Sequence, residues 1–401
     1  MSDVPQPAHA RLGDRGLFPD LRAKAYLHHA GISPASSAVR AAVERVMRES
    51  AEEGASAFSR RLLERDALRV ELAALLGAPG GEAEIALVPS TTYGLAAIAT
   101  SVPWRAGDRV IAFTGEYPTN VTVWQQACAR FSLSLTLLPA ADFAAPGGPD
   151  FTRLDAELAR GDVRLCAVSA VQFATGLRMP LREIAGRCRR HGAELAVDAV
   201  QALGAVPLDV TECGIDYLAA GSHKWLMGAD GAGVVYIRRS LLSAMCPTIA
   251  GAMSHQGALE LFTDGPGHLR YDRPLRDDAR VLEGGMLSST AVAGLAASLS
   301  ILRKLGIPSI FAHIQRYHDA LEASLRELGF RSLRAPDLAR RSGILSFEPP
   351  NGQLAPQLAA ALSAADVVCS GPDGVLRFAP HFWNSLDEIP TVVAELRKLL
   401  S

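Results

Sequence analysis

The chain has 401 residues, 49% of them hydrophobic, enough for a core larger than one small domain needs. Lys and Arg number 40 against 42 Asp and Glu, a net charge of -2, so no general field recruits nucleic acid or an anionic membrane and the expected partner is a small molecule. The six cysteines, Cys128, Cys166, Cys188, Cys213, Cys246 and Cys369, stand far apart with no C-x-x-C pair of metal-ligand spacing, which suits reduced thiols in a cytoplasmic protein.

The opening stretch MSDVPQPAHARLGDRG lacks an apolar run, and later runs such as Ile85 to Val88 are too short to span a bilayer, so neither a signal peptide nor a membrane anchor is expected. From about residue 36 to 240, short apolar runs alternate with amphipathic stretches, the pattern of an α/β domain with a mainly parallel sheet. Strands are predicted at Ile85 to Val88, Arg109 to Phe113, Ser134 to Leu138, Arg164 to Val168, Glu194 to Val197, Asp216 to Ala219 and Gly233 to Ile237. Helices are predicted between them at Arg60 to Leu76, Thr92 to Ser101, Asn120 to Phe131, Phe151 to Ala159 and Leu181 to His191, each with apolar residues three and four apart. Around Gly251 to Asp278 the text turns to Gly, Pro, His and charge, which predicts a long loop or an inter-domain crossing. Helices at Ser289 to Leu305 and Ser309 to Leu328, strands near Gly343 to Phe347 and Val375 to Phe378, and a closing helix from Leu386 to Leu400 predict a smaller α+β domain.

In parallel sheets ligands bind outside the carboxyl ends of the strands, so the polar residues just past each apolar run carry the functional reading. Ser90-Thr91-Thr92-Tyr93-Gly94 joins a strand to a helix, and is either a phosphate site or an ordinary N-cap. Glu194 to Asp198 delivers a carboxylate with Gln201 three residues on; a buried Asp needs a cation such as a protonated pyridine nitrogen, the alternatives being a cap or a ribose contact. Asp216 to Ala219 runs on to Ser222-His223-Lys224-Trp225, where a lysine in a closed core is a candidate nucleophile toward carbonyls unless it snorkels to the surface. No G-x-G-x-x-G or G-x-x-x-x-G-K-[ST] stands at a strand-helix junction, which counts against an NAD- or nucleotide-binding doubly wound protein.

VDAVQALGAVPLDV followed by GIDYLAAGSHKWLMG, with YLHHAGISP at 26 to 34 and LRFAPHFWN at 376 to 384, resembles the class V aminotransferases among the fold-type I pyridoxal-phosphate enzymes. That family includes cysteine desulfurases and isopenicillin N epimerase-like proteins. The resemblance implies a three-layer large domain over 36–285, a small C-terminal domain over 286–401, and a segment 1–35 that joins the small domain. It makes Lys224 the Schiff-base lysine, Asp198 the partner of the pyridinium nitrogen and His223 their catalytic neighbour beside the cofactor. Thr91 and Thr92 match the phosphate-binding pair, Tyr117 the aromatic ring over the pyridine face, and Gln201 the contact to the ring oxygen. Arg377 matches the arginine that grips a substrate carboxylate, with His29, Ala30 and Gly31 lining the substrate side.

Departures from the pattern redirect some roles. Gly221 stands where many relatives have a phosphate-binding Ser, leaving Ser222 or a backbone N–H as substitute. Met286 stands in place of a donor that reaches a neighbouring subunit's phosphate, leaving Ser288 or Ser289. Ala170 replaces an Asn or His of the desulfurases, leaving Gln172 to touch the ring. The stretch between Cys369 and Arg377 is too short for the mobile persulfide-forming loop of desulfurases, so Cys369 reads as an apolar filler. The expected activity is β-elimination, C–S lyase-like, on a small α-amino acid, with transamination or epimerisation as alternatives and an inactive binding relative as a further one. A homodimer is implied, each site completed by residues 251 to 290 of its neighbour.

Overall fold

Alternate residues along the central strands belong to two separate apolar layers. Ile85 and Leu87, Leu195 and Val197, and Leu218 and Ala220 pack in one layer, while Ala86 and Val88, Ala196, and Ala219 pack in the other, as a pleat buried on both faces requires. In the computed structural model, which describes residues 10–145 and 147–400, the chain runs β1 (Ala25–Tyr26), α1 (Ser37–Glu53), α2 (Phe58–Leu76), β2 (Ile85–Val88), α3 (Thr91–Ser101), β3 (Arg109–Thr114) and α4 (Thr119–Phe131). It continues through β4 (Ser134–Pro139), α5 (Thr152–Leu158), β5 (Val163–Ser169), α6 (Leu181–Arg190), β6 (Glu194–Asp198), β7 (Tyr217–Gly221) and β8 (Gly233–Ile237). Residues 1–9 of the expected N-terminal segment lie outside the described residues.

The strands form one seven-stranded sheet in the order β2-β8-β7-β6-β5-β3-β4. Only β8 runs against its neighbours, β2 and β7; the other pairs are parallel. Leu72 and Ile184, from α2 and α6, cover one face, and Leu95 and Trp124, from α3 and α4, cover the other. The expected mainly parallel α/β architecture is therefore observed. The carboxyl ends of β2, β3, β5, β6 and β7 share one edge, and the register sets Ser169, Asp198 and Ala219 side by side.

Beyond the sheet come the helices Ser289–Leu305 and Ile307–Glu327, then β9 (Arg331–Ser332), β10 (Leu345–Glu348), the helix Ala355–Ala364, β11 (Val367–Val368), β12 (Leu376–Phe378) and a closing helix Ile389–Leu400. β12, β10 and β9 form an antiparallel sheet, and β1 pairs with β11 in parallel, tying the start of the described chain to its end. No single helix among the described residues is long and apolar enough to cross a membrane.

The long loop contains a 3-10 turn at Ala252–Ser254 and one helical turn at Glu260–Thr263. Its far end is fastened by Glu283, which accepts from Arg69 Nε at 2.9 Å, Arg69 Nη2 at 2.5 Å and the Leu87 backbone N–H of β2 at 2.8 Å, all buried. Arg69 also donates to Asp66 at 2.5 Å, so Glu283→Ala leaves the guanidinium one carboxylate but orphans the buried Leu87 N–H, and is expected to cost about 2–3 kcal/mol. Urea unfolding checks this; a loss under about 1 kcal/mol, the worth of an exposed pair, would show that the fastening is dispensable.

Candidate active site

The strands of the shared edge converge on one cavity of about 420 Å³, β2, β3, β6 and β7 handing it polar residues and β5 leading to Phe173. β2 ends before Ser90, whose Oγ accepts from Tyr93 N at 3.1 Å and caps α3. The backbone N–H groups of Thr91 and Thr92 are then the free ends of that helix, turned to the cavity with the positive end of its dipole. β6 ends in Asp198 and β7 in Gly221, two residues before His223 and three before Lys224. β3 leads to Tyr117, and β12 brings Arg377 from the C-terminal sheet.

Asp198 is 3% exposed. One oxygen accepts from Val200 N at 2.9 Å; among the described residues the other has no partner. Burial pushes its carboxyl up to about 7, against the Val200 N–H, with Glu116 adding and Lys224 opposing. Burial likewise pushes the Lys224 ammonium down to about 8, opposed by Asp198 and helped by Arg377. Its Nζ lies 5.5 Å from the centre of the Tyr117 ring. Arg377 is planted by Nε on Ser370 Oγ at 3.0 Å and Nη1 on the Phe173 carbonyl at 2.5 Å; burial draws it down to about 10, so it stays charged at neutral pH.

Thr91, Thr92, Tyr117, Asp198, Gln201, His223, Lys224 and Arg377 all reach this cavity, as do Ala30 and Gly31. Gln201 is already held, its Nε2 donating to Ala30 O and its Oε1 accepting from Trp225 Nε1, both at 2.9 Å, so one amide N–H remains for a ligand. Four expected residues are turned elsewhere. Gln172 donates to Glu116 Oε1 at 3.1 Å; Ser222 donates to Ala229 O at 2.5 Å. His29 is fully buried behind the wall, its Nδ1 2.9 Å from Ala379 O. Ser288 is exposed, away from the cavity, and caps the helix Ser289–Leu305 by accepting from Ala291 N. Gly221 has a local reason, since a Cβ there would fall 3.1 Å from Thr91 Oγ1, which accepts the Gly221 N–H at 2.8 Å, and 3.2 Å from the His223 ring.

Thr119, Phe173, Val200 and Pro372 line the cavity without having been singled out in the sequence, and Ser90, read there as part of a phosphate site or a cap, lines it too. Phe173 meets the Tyr117 ring edge-on at 5.5 Å. Behind the wall lies a buried carboxylate, Glu116, which accepts from Ser169 N at 2.8 Å, Asn120 Nδ2 at 3.2 Å, the Ser169 hydroxyl and Gln172. A larger cleft of about 630 Å³ between α1, α2 and the helix Ser289–Leu305 is walled by alanines and by charged side chains, of which Arg45 and Glu64 pair with each other at 2.9 Å.

The cavity thus offers a helix N-terminus among hydroxyls, a buried carboxyl raised for want of a cation, and an amine with lowered proton affinity. Those three features fit the phosphate, pyridine nitrogen and aldehyde of pyridoxal phosphate. They define a sheet-edge carbonyl-cofactor site on a fold-type I scaffold.

The comparisons agree. The family model for class-V aminotransferases matches residues 25–371. An uncharacterised aminotransferase of Bacillus subtilis (strain 168), YcbU, is 27% identical over 95% of this chain and 96% of its own length. A cysteine desulfurase of Klebsiella pneumoniae (strain 342) is 32% identical over 70% of this chain and 66% of its own. Among solved structures, the cystine C–S lyase C-DES with cysteine persulfide superposes with a TM-score of 0.83 at 23% identity, covering 94% of this chain and 98% of that one. The chain belongs to the class-V aminotransferase family, a group of pyridoxal-phosphate enzymes.

Proposed function

We propose that this protein is a pyridoxal-phosphate lyase that breaks a C–S bond β to the amino group of a small, cysteine-like amino acid. The meeting of Lys224, Asp198 and Arg377 around one cavity carries the reading. Thr91, Thr92 and His223 hold the cofactor's phosphate at the start of α3, Asp198 its ring nitrogen, and Tyr117 one ring face. When bound, pyridoxal phosphate supplies an aldehyde for the substrate amine and a ring that takes up the electron pair left at the α-carbon.

The protein's own groups do the rest. Arg377 fixes the substrate carboxylate, which orients the Cα–H bond toward Lys224. Lys224, with its lowered proton affinity, takes the α-proton at neutral pH. Asp198, ionised beside a cation, keeps the ring nitrogen protonated. The β-sulfur leaves with the electrons of the C–S bond, and water then releases a 2-oxo acid and ammonia.

The relatives named for cysteine desulfuration and cystine cleavage support the bond chosen. No thiol of the chain is needed for it. Cys369 is buried, its thiol pushed up to about 12 by that burial, and it is followed only by residues 370–375 before β12. Cys369→Ser is expected to keep sulfide release within about threefold, as suits an inert buried thiol; a loss beyond roughly 100-fold would mean a relay through this sulfur.

The full-length match to an aminotransferase favours transamination as the competing reading. The holoenzyme given cysteine or cystine is expected to release 2-oxo acid and reduced sulfur together. Formation of 2-oxo acid only when a second 2-oxo acid is supplied, without sulfur release, would establish transamination instead.

The same reading extends to organisation. We infer a cytoplasmic homodimer of two-part subunits, 36–285 and 286–401, with the segment 1–35 joining the latter, a reading that the pairing of Ala25 and Tyr26 with β11 supports. Phe262 is 78% exposed and Tyr271 92% exposed on the long loop, with Leu269 between them and Met286 beyond the loop's end also exposed, apolar surface that a second copy would cover. Ser288 would then serve the phosphate of the neighbouring site.

A further inference from the structure

His28, next to the buried His29, packs against Gly31 of the cavity wall. Gly31 lines the cavity, and a Cβ built on it would fall 2.3 Å from His28 Nε2 and 2.5 Å from Cε1. The Nε2 edge of the imidazole therefore fills the space a side chain at position 31 would take. His28 also bridges Ala379 in parallel register, two residues past Arg377, so the two side chains rise from adjacent backbone segments. On its other edge, Nδ1 is buried with no hydrogen-bond partner among the described residues. A buried N–H without an acceptor is the costlier orphan, so the ring carries its proton on Nε2.

Arg377 leaves a place for such a neighbour. Two of its three nitrogens are spent on Ser370 Oγ and the Phe173 carbonyl, which leaves Nη2 without a hydrogen bond among the described residues. Three of the five guanidinium N–H groups remain, but the side-on pair of Nε and Nη2 is closed by Ser370, so a carboxylate is met mainly through Nη2 and gains from a further donor alongside. We propose that His28 is a specificity residue whose Nε2–H completes, with Arg377 Nη2, the seat for the substrate's α-carboxylate, so that the site selects amino acids over simple amines. The proposal rests on the amino-acid reading above. Burial, with Arg377 and Lys224 adding, draws the imidazole down to about 4, so the donor is a neutral N–H at working pH.

The test uses holoenzyme of wild type, His28→Leu and His28→Gln with two ligands followed by calorimetry. One is α-methylcysteine, which has no α-hydrogen to lose; the other is cysteamine, which has no carboxylate. His28→Leu is expected to bind α-methylcysteine roughly tenfold or more weakly, the range for a lost hydrogen bond to a charged group, while cysteamine affinity stays within about twofold. His28→Gln, which keeps a side-chain N–H donor, is expected to stay within about threefold of wild type for both. Unchanged α-methylcysteine binding in His28→Leu, or an equal loss for both ligands, would overturn the proposal. Because α-methylcysteine is not turned over, a wild type that binds it but releases no sulfur from cysteine refutes the lyase reading and leaves this one standing.

Discussion

Lys224→Ala is expected to lower turnover by roughly 10³- to 10⁴-fold, the upper part of what a positioned acid–base group contributes. The size follows from two roles ending on one atom: the amine is both the group that captures the cofactor and the base at the α-carbon. Lys224→Arg is expected to be as inactive, because it keeps the charge and loses the nucleophile; recovery with Arg would mean that charge alone matters. The lowered proton affinity adds a pH signature. Only the neutral amine attacks a carbonyl, so covalent capture of cofactor by the apoprotein is expected to quicken as pH rises and level off above about 8. A rate still climbing toward pH 10 would mean that the ammonium keeps its ordinary value.

Asp198→Asn comes next in expected effect. The substitution preserves shape and the acceptor for Val200 N but removes the buried negative charge that a ring cation would face. Breaking a buried pair by neutralising one member costs about 3 kcal/mol or more, which corresponds to roughly 100-fold or more in rate if the cation develops its role in the transition state. Asp198→Glu, longer by one methylene in a fully buried place, is expected to recover part of that loss. A kcat within about threefold of wild type for Asp198→Asn would remove this residue from the chemistry, since a group worth so little contributes no electrostatic stabilisation.

Much of this was legible along the chain because the apolar strands stop at the residues that matter. Asp198 and Lys224 could be read from runs that end in a carboxylate or lead into an amine, and all seven strands of the central sheet fell within about two residues of their predicted bounds. Residues whose roles depend on side-chain direction were harder. His28 closes a strand bridge and His29 opens the turn after it, so the two side chains face different sides; the resemblance drew attention to His29, which is buried against Ala379 O, whereas His28 packs against Gly31 of the cavity wall. The same one-residue ambiguity separates Ser222, bonded to Ala229 O, from His223 on the cavity.

Glu116 was out of reach for another reason. Its four donors come from Ser169, Asn120 and Gln172, which the sheet brings together from distant segments. Two-residue strands such as β1, β9 and β11 carry too few positions for a period of two to show. The helix Ala355–Ala364, APQLAAALSA, has little polar contrast between its faces and so gave no amphipathic signal.

The sequence holds four lysines, which permits a clean measurement of the central claim. Lys24 pairs with Asp366, Lys304 borders the cleft between α1, α2 and the helix Ser289–Leu305, and Lys398 pairs with Glu395; Lys224 alone faces Asp198 and Arg377 across the cavity. Borohydride reduction of the protein incubated with pyridoxal phosphate, followed by peptide mass mapping, is expected to place the pyridoxyl mass on Lys224 stoichiometrically. Label on Lys24, Lys304 or Lys398 at equal yield, or none at all, would contradict the assignment of this cavity as the cofactor site.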